Sequence, residues 1–189
     1  MLQFGGRLSL TLRVAALVAV SLAALSVSVA PASPRTVTAD ASAATPLVLR
    51  RPPDRSYSLR LPAAWRFRTA RSGAESRTDT WFDPKHPHDN VLTVLRSTCR
   101  SCFRDAAGHP DPSVLARAAA KGGVVKVKRI SAWEVRFSGA VGEGTVRAGR
   151  AIIIRKGGAP VASVTSTIIV TSGQEPFANR VLSSLHIVN

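Results

Sequence analysis

Alternation of apolar and polar residues predicts β-strands over much of the chain. In the first such segment, Tyr57, Leu59 and Leu61 share one face. Ser58 and Arg60 share the other face, which is the period of a half-buried strand. Further segments with strand-like patterns are residues 77–82, 91–98, 124–128, 133–138, 145–156 and 161–170.

Two other segments have the start and stop signals of helices. Asp111 is placed to cap a short helix, Pro112 suits its first turn, and Gly123 follows its end. Near the carboxyl end, Ser172 and Glu175 have the spacing of a capping box. The apolar stripe of this second helix consists of Phe177, Val181, Leu182 and Leu185.

The turn signals between these elements lead to a fold class. Gly157 and Gly158 predict a hairpin between two long strands, and the segment from Gly139 to Gly144 predicts another turn. The order is strands, a short helix, a run of antiparallel strands and a terminal helix. It predicts an α+β fold in which helices flank an antiparallel sheet, an α/β/α sandwich.

Residues 1–30 have the pattern of a secretory signal peptide. Arg7 and Arg13 precede an acid-free apolar run, and small residues follow it. The run is also near the lower length limit for a membrane span, and Pro31 disfavours cleavage directly after Ala30. The alternative is therefore a retained N-terminal membrane anchor. Both interpretations predict a secreted or extracytoplasmic protein, in the second case anchored by the uncleaved segment.

Composition divides the remainder of the chain. Residues 31–53 are rich in Ala, Ser, Thr and Pro and have no apolar period, so they are predicted to be a flexible linker. Residues 54–188 are then expected to form a single α+β domain, which is long enough to bury a core.

The chain is strongly basic, with 26 Lys and Arg against 11 Asp and Glu and a formal net charge of +15. This balance favours anionic partners, such as an envelope protein, an anionic envelope polymer or a lipid surface. Arg60 lies on the polar side of the first strand segment, and Arg66 and Arg68 alternate with Trp65 and Phe67 in a second segment that follows it. These three arginines are the candidates for an anionic contact surface. Compositional drift and a plain solvated face are the alternatives. Nucleic acid is not expected, because the chain has no recognised nucleic-acid motif.

Two stretches resemble a known family. Tyr57–Trp65, a strand followed by Leu-Pro, small residues and Trp, resembles the opening of the PsbP/Mog1-like fold. Phe177–Ile187 is similar to the terminal helix of exported actinobacterial members. The resemblance implies an antiparallel sheet between helices. It implies little about function, because members serve as photosystem assembly subunits, small-GTPase partners and surface lipoproteins. The chain also lacks the lipidated cysteine of the lipoprotein members.

Cys99 and Cys102 form a C-x-x-C pair. Outside the cytoplasm two cysteines at this spacing are expected to form a disulfide. The alternative is a small thiol-disulfide redox protein, whose first cysteine should lie at the start of a helix. Here the segment 105–110 separates the pair from the predicted helix, which favours a structural role.

Other chemistry is poorly supported by the sequence. His86 and His88, in a Pro-rich loop, could contribute metal ligands, but ordinary solvated histidines are the preferred interpretation. There is no G-x-S-x-G motif. No catalytic residue, cofactor or metal is therefore predicted. The function expected from the sequence is that of an exported, non-enzymatic cell-envelope accessory or binding protein.

Overall fold

The computed structural model describes residues 45–71, 73–121 and 123–188, all of which fall within one compact unit. The predicted signal peptide or anchor, residues 1–30, and the predicted linker up to residue 44 lie outside the described residues. Within the described ranges, no helix has both the length and the apolar character needed to cross a membrane.

Strands predominate in the described part of the chain, with two short helices between them. In chain order the elements are β1 (Leu47–Arg50), β2 (Tyr57–Pro62), β3 (Arg66–Arg71), β4 (Ser76–Phe82), β5 (Val91–Ser97), α1 (Pro112–Ala119), β6 (Lys126–Ser131), β7 (Glu134–Gly142), β8 (Thr145–Lys156), β9 (Ala159–Thr171), α2 (Glu175–Ser183) and β10 (His186–Ile187).

The strands form two antiparallel sheets. The large sheet has the order β3-β4-β5-β9-β8-β7-β6, and the small sheet has the order β1-β2-β10. Successive residues of a strand point to opposite faces, and the large sheet accordingly contacts two separate cores. In β9, Val164 and Ile168 face a first core shared with α2 and the small sheet. In β8, Ala151 and Ile153 face a second core beneath α1. The prediction of an antiparallel sheet flanked by helices is confirmed.

Helix α1 begins as its sequence predicts. Asp111 is the N-cap, and its carboxylate accepts a hydrogen bond from the Ser113 amide at 3.0 Å, while Pro112 occupies the first turn. Arg129 on β6 donates to the same carboxylate at 2.8 Å. Burial alone would raise the pKa of Asp111, but the hydrogen bonds from Ser113 and Arg129 outweigh it and hold the pKa below its ordinary value.

Helix α2 begins differently from the prediction. The capping box is not formed, because the N-cap is Gln174 and Glu175 is already the first helical residue. Ser172 still belongs to the turn after β9, where its amide donates to the Gly144 carbonyl at 2.8 Å. The Glu175 carboxylate instead accepts from the Gly173 amide at 2.8 Å. The four residues of the predicted apolar stripe are all buried, and three of them lie in α2, whereas Leu185 follows its C-cap.

One predicted turn is confirmed and another is shorter than expected. Gly157 and Gly158 both have positive φ, +59° and +84°, as a two-residue type I′ hairpin requires. Strand β7, however, continues through Gly139 to Gly142, so the turn is confined to the residues just before Thr145. Gly139 is needed for close approach rather than for turning, because a Cβ there would collide with the Val124 carbonyl.

The predicted linker ends earlier than residue 53. Leu47–Arg50 forms β1, which pairs antiparallel with β2, so that Leu47 lies opposite Pro62. Leu47 also packs against the first core, which explains why this compositionally biased segment is ordered as a strand. Pro62 stays within β2 and does not interrupt its pairing.

Candidate functional site

Helix α1 covers only part of its face of the large sheet. It packs against β6, β7, β8 and β9, and neither helix of the described residues covers the outer surface of β3, β4 and β5. The side chains on this open surface follow from strand alternation. Phe67, Trp81 and Leu92 pack in the first core, so their neighbours along β3, β4 and β5 point the other way.

Strand register places hydroxyl groups in rows across this surface. Arg68 lies opposite Thr80, Thr80 opposite Thr93, and Thr93 opposite Thr167. In the next row, Leu95 lies between two further threonines of β4 and β9. Threonine suits such positions, because its branched side chain packs well against cross-strand partners. We call this surface the threonine face; its threonines are Thr78, Thr93 and Thr167, which are partly exposed, and Thr80 and Thr165, which are buried.

A groove of about 380 Å³ separates the threonine face from α1. Leu115 and Ala119 of α1 form an apolar wall, and Leu95 of β5 contributes to the floor. Two cationic residues, Lys121 and Arg147, also line the groove. None of its described lining residues is acidic. The groove therefore combines apolar walls, hydroxyl groups and positive charge.

The two cations of the groove are associated with the carboxyl end of α1. Arg147 donates from Nη1 to the Ala120 carbonyl at 2.8 Å. Cations are favourable at this end of a helix, where carbonyl groups lack helical partners. The Nε of Arg147 is buried and has no hydrogen-bond partner in the described part of the chain. Lys121 directly follows the helix cap with a positive φ of 50° and is exposed.

Two of the predicted contact residues lie at the opposite edge of the threonine face. Arg66 and Arg68 are exposed on the edge strand β3, and the guanidinium of Arg68 lies 5.3 Å from the centre of the Phe82 ring. The register connects Arg66 to Arg147 through Phe82, Val91 and Ile169. Four strand spacings separate them, roughly 19 Å between Cα atoms. Cations thus flank the threonine face on both sides.

The third predicted contact residue lies elsewhere. Arg60 is exposed on β2 of the small sheet, whose neighbouring residues Leu59 and Leu61 enter the first core. That core lies on one face of the large sheet, and Arg66 and Arg68 lie on the other. The structure therefore brings Arg66 and Arg68 together and does not bring Arg60 to them.

The cysteine pair lies between β5 and α1. The Sγ atoms of Cys99 and Cys102 are 1.99 Å apart, at disulfide-bonding distance. Helix α1 begins only at Pro112, so neither cysteine lies at a helix start. The redox alternative thus lacks the arrangement that lowers the pKa of an attacking thiol.

The histidines of the Pro-rich loop are surface residues. His86 Nδ1 lies 3.3 Å from the Asp83 carboxylate, and both His86 and His88 are exposed. Among the described residues, no group of three or more His, Cys, Asp or Glu side chains is arranged to hold a metal ion.

Sequence reasoning did not single out the threonine face. A local signal was present, since Thr78 and Thr80, and likewise Thr165 and Thr167, are spaced two residues apart within strands. Their alignment into one surface depends on the order β4-β5-β9, in which β9 pairs with a strand about 70 residues earlier in the chain.

Comparison with known proteins supports the architecture. The fold is similar to the solution structure of cyanobacterial PsbP (CyanoP) from Synechocystis sp. PCC 6803, with a TM-score of 0.50 and 12% sequence identity. The similarity covers 76% of this chain and 94% of that one. The chain therefore has a PsbP-like fold, as the resemblance of its sequence implied.

A second solved structure is less similar. It is a crystal structure from Bacteroides thetaiotaomicron VPI-5482, with a TM-score of 0.42 and 13% identity, covering 75% of this chain and 48% of that one. No protein-family model matches the sequence, and no curated protein matches it.

Proposed function

We propose that this protein is an exported, non-enzymatic accessory protein of the cell envelope that binds an anionic, phosphate-bearing surface through the threonine face. The observation that carries the proposal is the flanking of this face by Arg66 and Arg68 on one edge and Lys121 and Arg147 on the other. Hydroxyl groups and arginines are the donors that phosphate oxygens prefer.

The distribution of charge supports this choice of surface. The groove beside α1 has no acidic lining residue among those described. Elsewhere, arginines are often neutralised by carboxylates, as Arg150 is by Glu134 at 2.7 Å and Arg129 by Asp111 at 2.8 Å. A surface with unopposed cations attracts polyanions, and the formal charge of +15 for the whole chain adds long-range attraction.

The anionic surface could be lipid headgroups or an envelope polymer, and two binding assays separate these sources. One measures co-sedimentation with vesicles that contain phosphatidylglycerol, with phosphatidylcholine vesicles as the neutral reference. The other measures binding to soluble polyphosphate. Both use the chain without residues 1–30, because the apolar segment itself would partition into vesicles. Both cores lie within residues 45–188, so the shortened chain retains them.

The matched variants are Arg66→Gln with Arg68→Gln, and Arg60→Gln as the control. The double variant is expected to weaken binding to the anionic surface roughly 30-fold, because each cation near such a surface adds to the attraction. The control removes an exposed arginine from the other sheet and is expected to have a much smaller effect. Binding should also weaken steeply from 50 mM to 500 mM salt. Equal losses in both variants, or binding that ignores salt, would contradict the proposal.

Export needs its own test, because the predicted signal lies outside the described residues. A reporter that is active only outside the cytoplasm, fused after the last residue, should be active with the intact chain. Deletion of residues 1–30 should abolish its activity. Reporter activity confined to the cytosol would refute export and leave the phosphate-binding surface to be judged by the binding assays alone.

A further inference from the structure

A second cavity lies at the junction of the two sheets, on the side of the large sheet opposite the threonine face. Its volume is about 480 Å³, within the range of small-molecule sites. Ile154 of β8, Ala162 of β9 and Ile187 of β10 are partly exposed and contribute apolar surface to it. We call it the junction cleft. Its position between two independently hydrogen-bonded sheets explains why packing leaves space there.

Three arginines, Arg71, Arg77 and Arg96, also line the junction cleft. Two of them are held in place by Asp54, from the turn between β1 and β2. The Asp54 carboxylate contacts Arg77 at 2.9 Å and Arg96 at 2.7 Å. Burial would raise the pKa of Asp54, but hydrogen bonds from Ser56 and Arg96 outweigh it and keep the pKa below its ordinary value.

A buried carboxylate supports the same two arginines from behind. Asp79 is fully buried, and its Oδ1 accepts hydrogen bonds from Thr69 at 2.7 Å and from Arg77 at 2.9 Å. Its Oδ2 has no hydrogen-bond partner among the described residues and lies 4.0 Å from Arg96. The Nε of Arg96 is likewise buried without a partner. Arg77 and Arg96 are therefore oriented by the protein itself, before any ligand arrives.

The balance of charge limits what the cleft can accept. Asp54 and Asp79 neutralise Arg77 and Arg96. No side-chain hydrogen bond or ion pair joins Arg71 to another residue in the described part of the chain, and Glu75 is the acidic residue that lines the cleft with it. One cation is thus available to a ligand, and a neighbouring carboxylate opposes further negative charge. This arrangement suits a single anionic group and is unsuited to a polyanion.

We propose that the junction cleft binds a small amphipathic anion, in which a single carboxylate or phosphate monoester head contacts Arg71 and an apolar body lies on Ile154, Ala162 and Ile187. An apolar floor with one directed polar contact is the usual composition of a small-molecule site. The head contacts Arg71 in the fork geometry that guanidinium offers to both types of oxyanion. This site lies on the opposite face of the large sheet from the threonine face and takes one small molecule, whereas the threonine face is proposed to bind an extended anionic surface.

The test uses decanoate and decyl phosphate, each below its micelle concentration, and the uncharged decanol, below its solubility limit, as probes. Binding is measured by calorimetry and by methyl NMR shifts on the chain without residues 1–30. Decanoate or decyl phosphate should bind at least tenfold more tightly than decanol, with shifts at Ile154 and Ile187. The tighter of the two anions identifies the head group. Equal affinity for decanol, or shifts confined to the threonine face, would overturn the proposal.

Two variants test separately the contact between Arg71 and the anionic head and the space that the cleft offers to the apolar body. Arg71→Gln removes an exposed charge without burying a new group and should weaken binding of the anion about tenfold to hundredfold. Ala162→Phe places a ring in the cleft, which Ala162 lines, and should abolish binding of all three probes. Arg60→Gln, which replaces an exposed arginine of β2 that does not line the cleft, is the control and should leave binding unchanged. Unaltered binding in the Arg71 variant overturns the proposal even if the Ala162 variant does not fold.

Discussion

Gly149 of β8 lies directly under the ring of Phe137, its register partner on β7, and replacement by alanine should destabilise the protein. A Cβ at this position would lie 2.5 Å from Cε2 and 2.6 Å from Cε1 of the ring, and closer still to Cζ. Carbon atoms without a bond between them normally lie about 3.5–4.0 Å apart. Phe137 is 3% exposed and packs in the second core, so a displacement of the ring would disturb its packing there.

The magnitude follows from two opposing effects. Overpacking of a core costs about 1–3 kcal/mol. Removing a glycine from the unfolded chain returns about 0.5–1 kcal/mol, because alanine has less conformational freedom to lose on folding. The short contacts with the ring place the overpacking cost in the upper part of its range, so the net loss for Gly149→Ala is about 1–2.5 kcal/mol in the free energy of unfolding. For a domain of this size the melting temperature should decrease by roughly 3–7 °C.

Urea denaturation of the variants in a double-mutant cycle tests whether contact with the Phe137 ring causes the destabilisation. Gly149→Ala is made in the wild type and in a Phe137→Leu background, where the smaller side chain leaves room for the new methyl group. The cost of Gly149→Ala should fall by about 1 kcal/mol in that background. Gly142→Ala is the control, because a Cβ at Gly142 meets no atom within 4 Å. The same cost in both backgrounds would refute the steric argument.

Three further predictions concern charge and the disulfide. Asp79→Asn should lower the free energy of unfolding by about 3 kcal/mol in urea titration, because it leaves the neighbouring guanidinium without a buried counter-charge; an unchanged midpoint would contradict this. Asp54 and Asp111 have pKa values below the ordinary 3.8 in the folded protein. Their ionised carboxylates therefore stabilise the folded protein fully when the pH is well above 3.8, and this stabilisation decreases as the pH falls below that value. Asp111→Asn should reduce the loss in the free energy of unfolding that is measured between pH 6 and pH 3. Cys99→Ser with Cys102→Ser should cost about 2 kcal/mol, since so short a loop restricts the unfolded chain little; complete unfolding would show a larger role.

Much of the secondary structure could be predicted because its signals are local. The strand predicted for residues 145–156 is β8 as observed, and Gly157 and Gly158 form the expected hairpin. The cap at Asp111 was also predictable, since it depends on a contact between residues two apart. The short strands β1 and β10 could not be predicted. Each is a strand only because β2 offers it hydrogen-bonding partners.

The candidate sites were less predictable than the elements that carry them. Arg66 and Arg68 were identified as contact residues, yet grouping Arg60 with them assumed that the first two strand segments belong to one sheet. The junction cleft has no sequence signature, because Arg71, Arg77 and Arg96 belong to three strands and Asp54 to a turn. Register across strands distant in sequence decides such groupings.

The sequence by itself determined the periods, the turns, the pairing of Cys99 with Cys102 and the excess of positive charge, since each depends on neighbouring residues or on composition. Only the tertiary structure decided which strands share a sheet, which half of a face the short helix α1 leaves open, and where the two sheets fail to close against each other. Those outcomes depend on how the helices and strands pack around the two hydrophobic cores. Local chemistry builds the elements, whereas long-range packing decides what they expose.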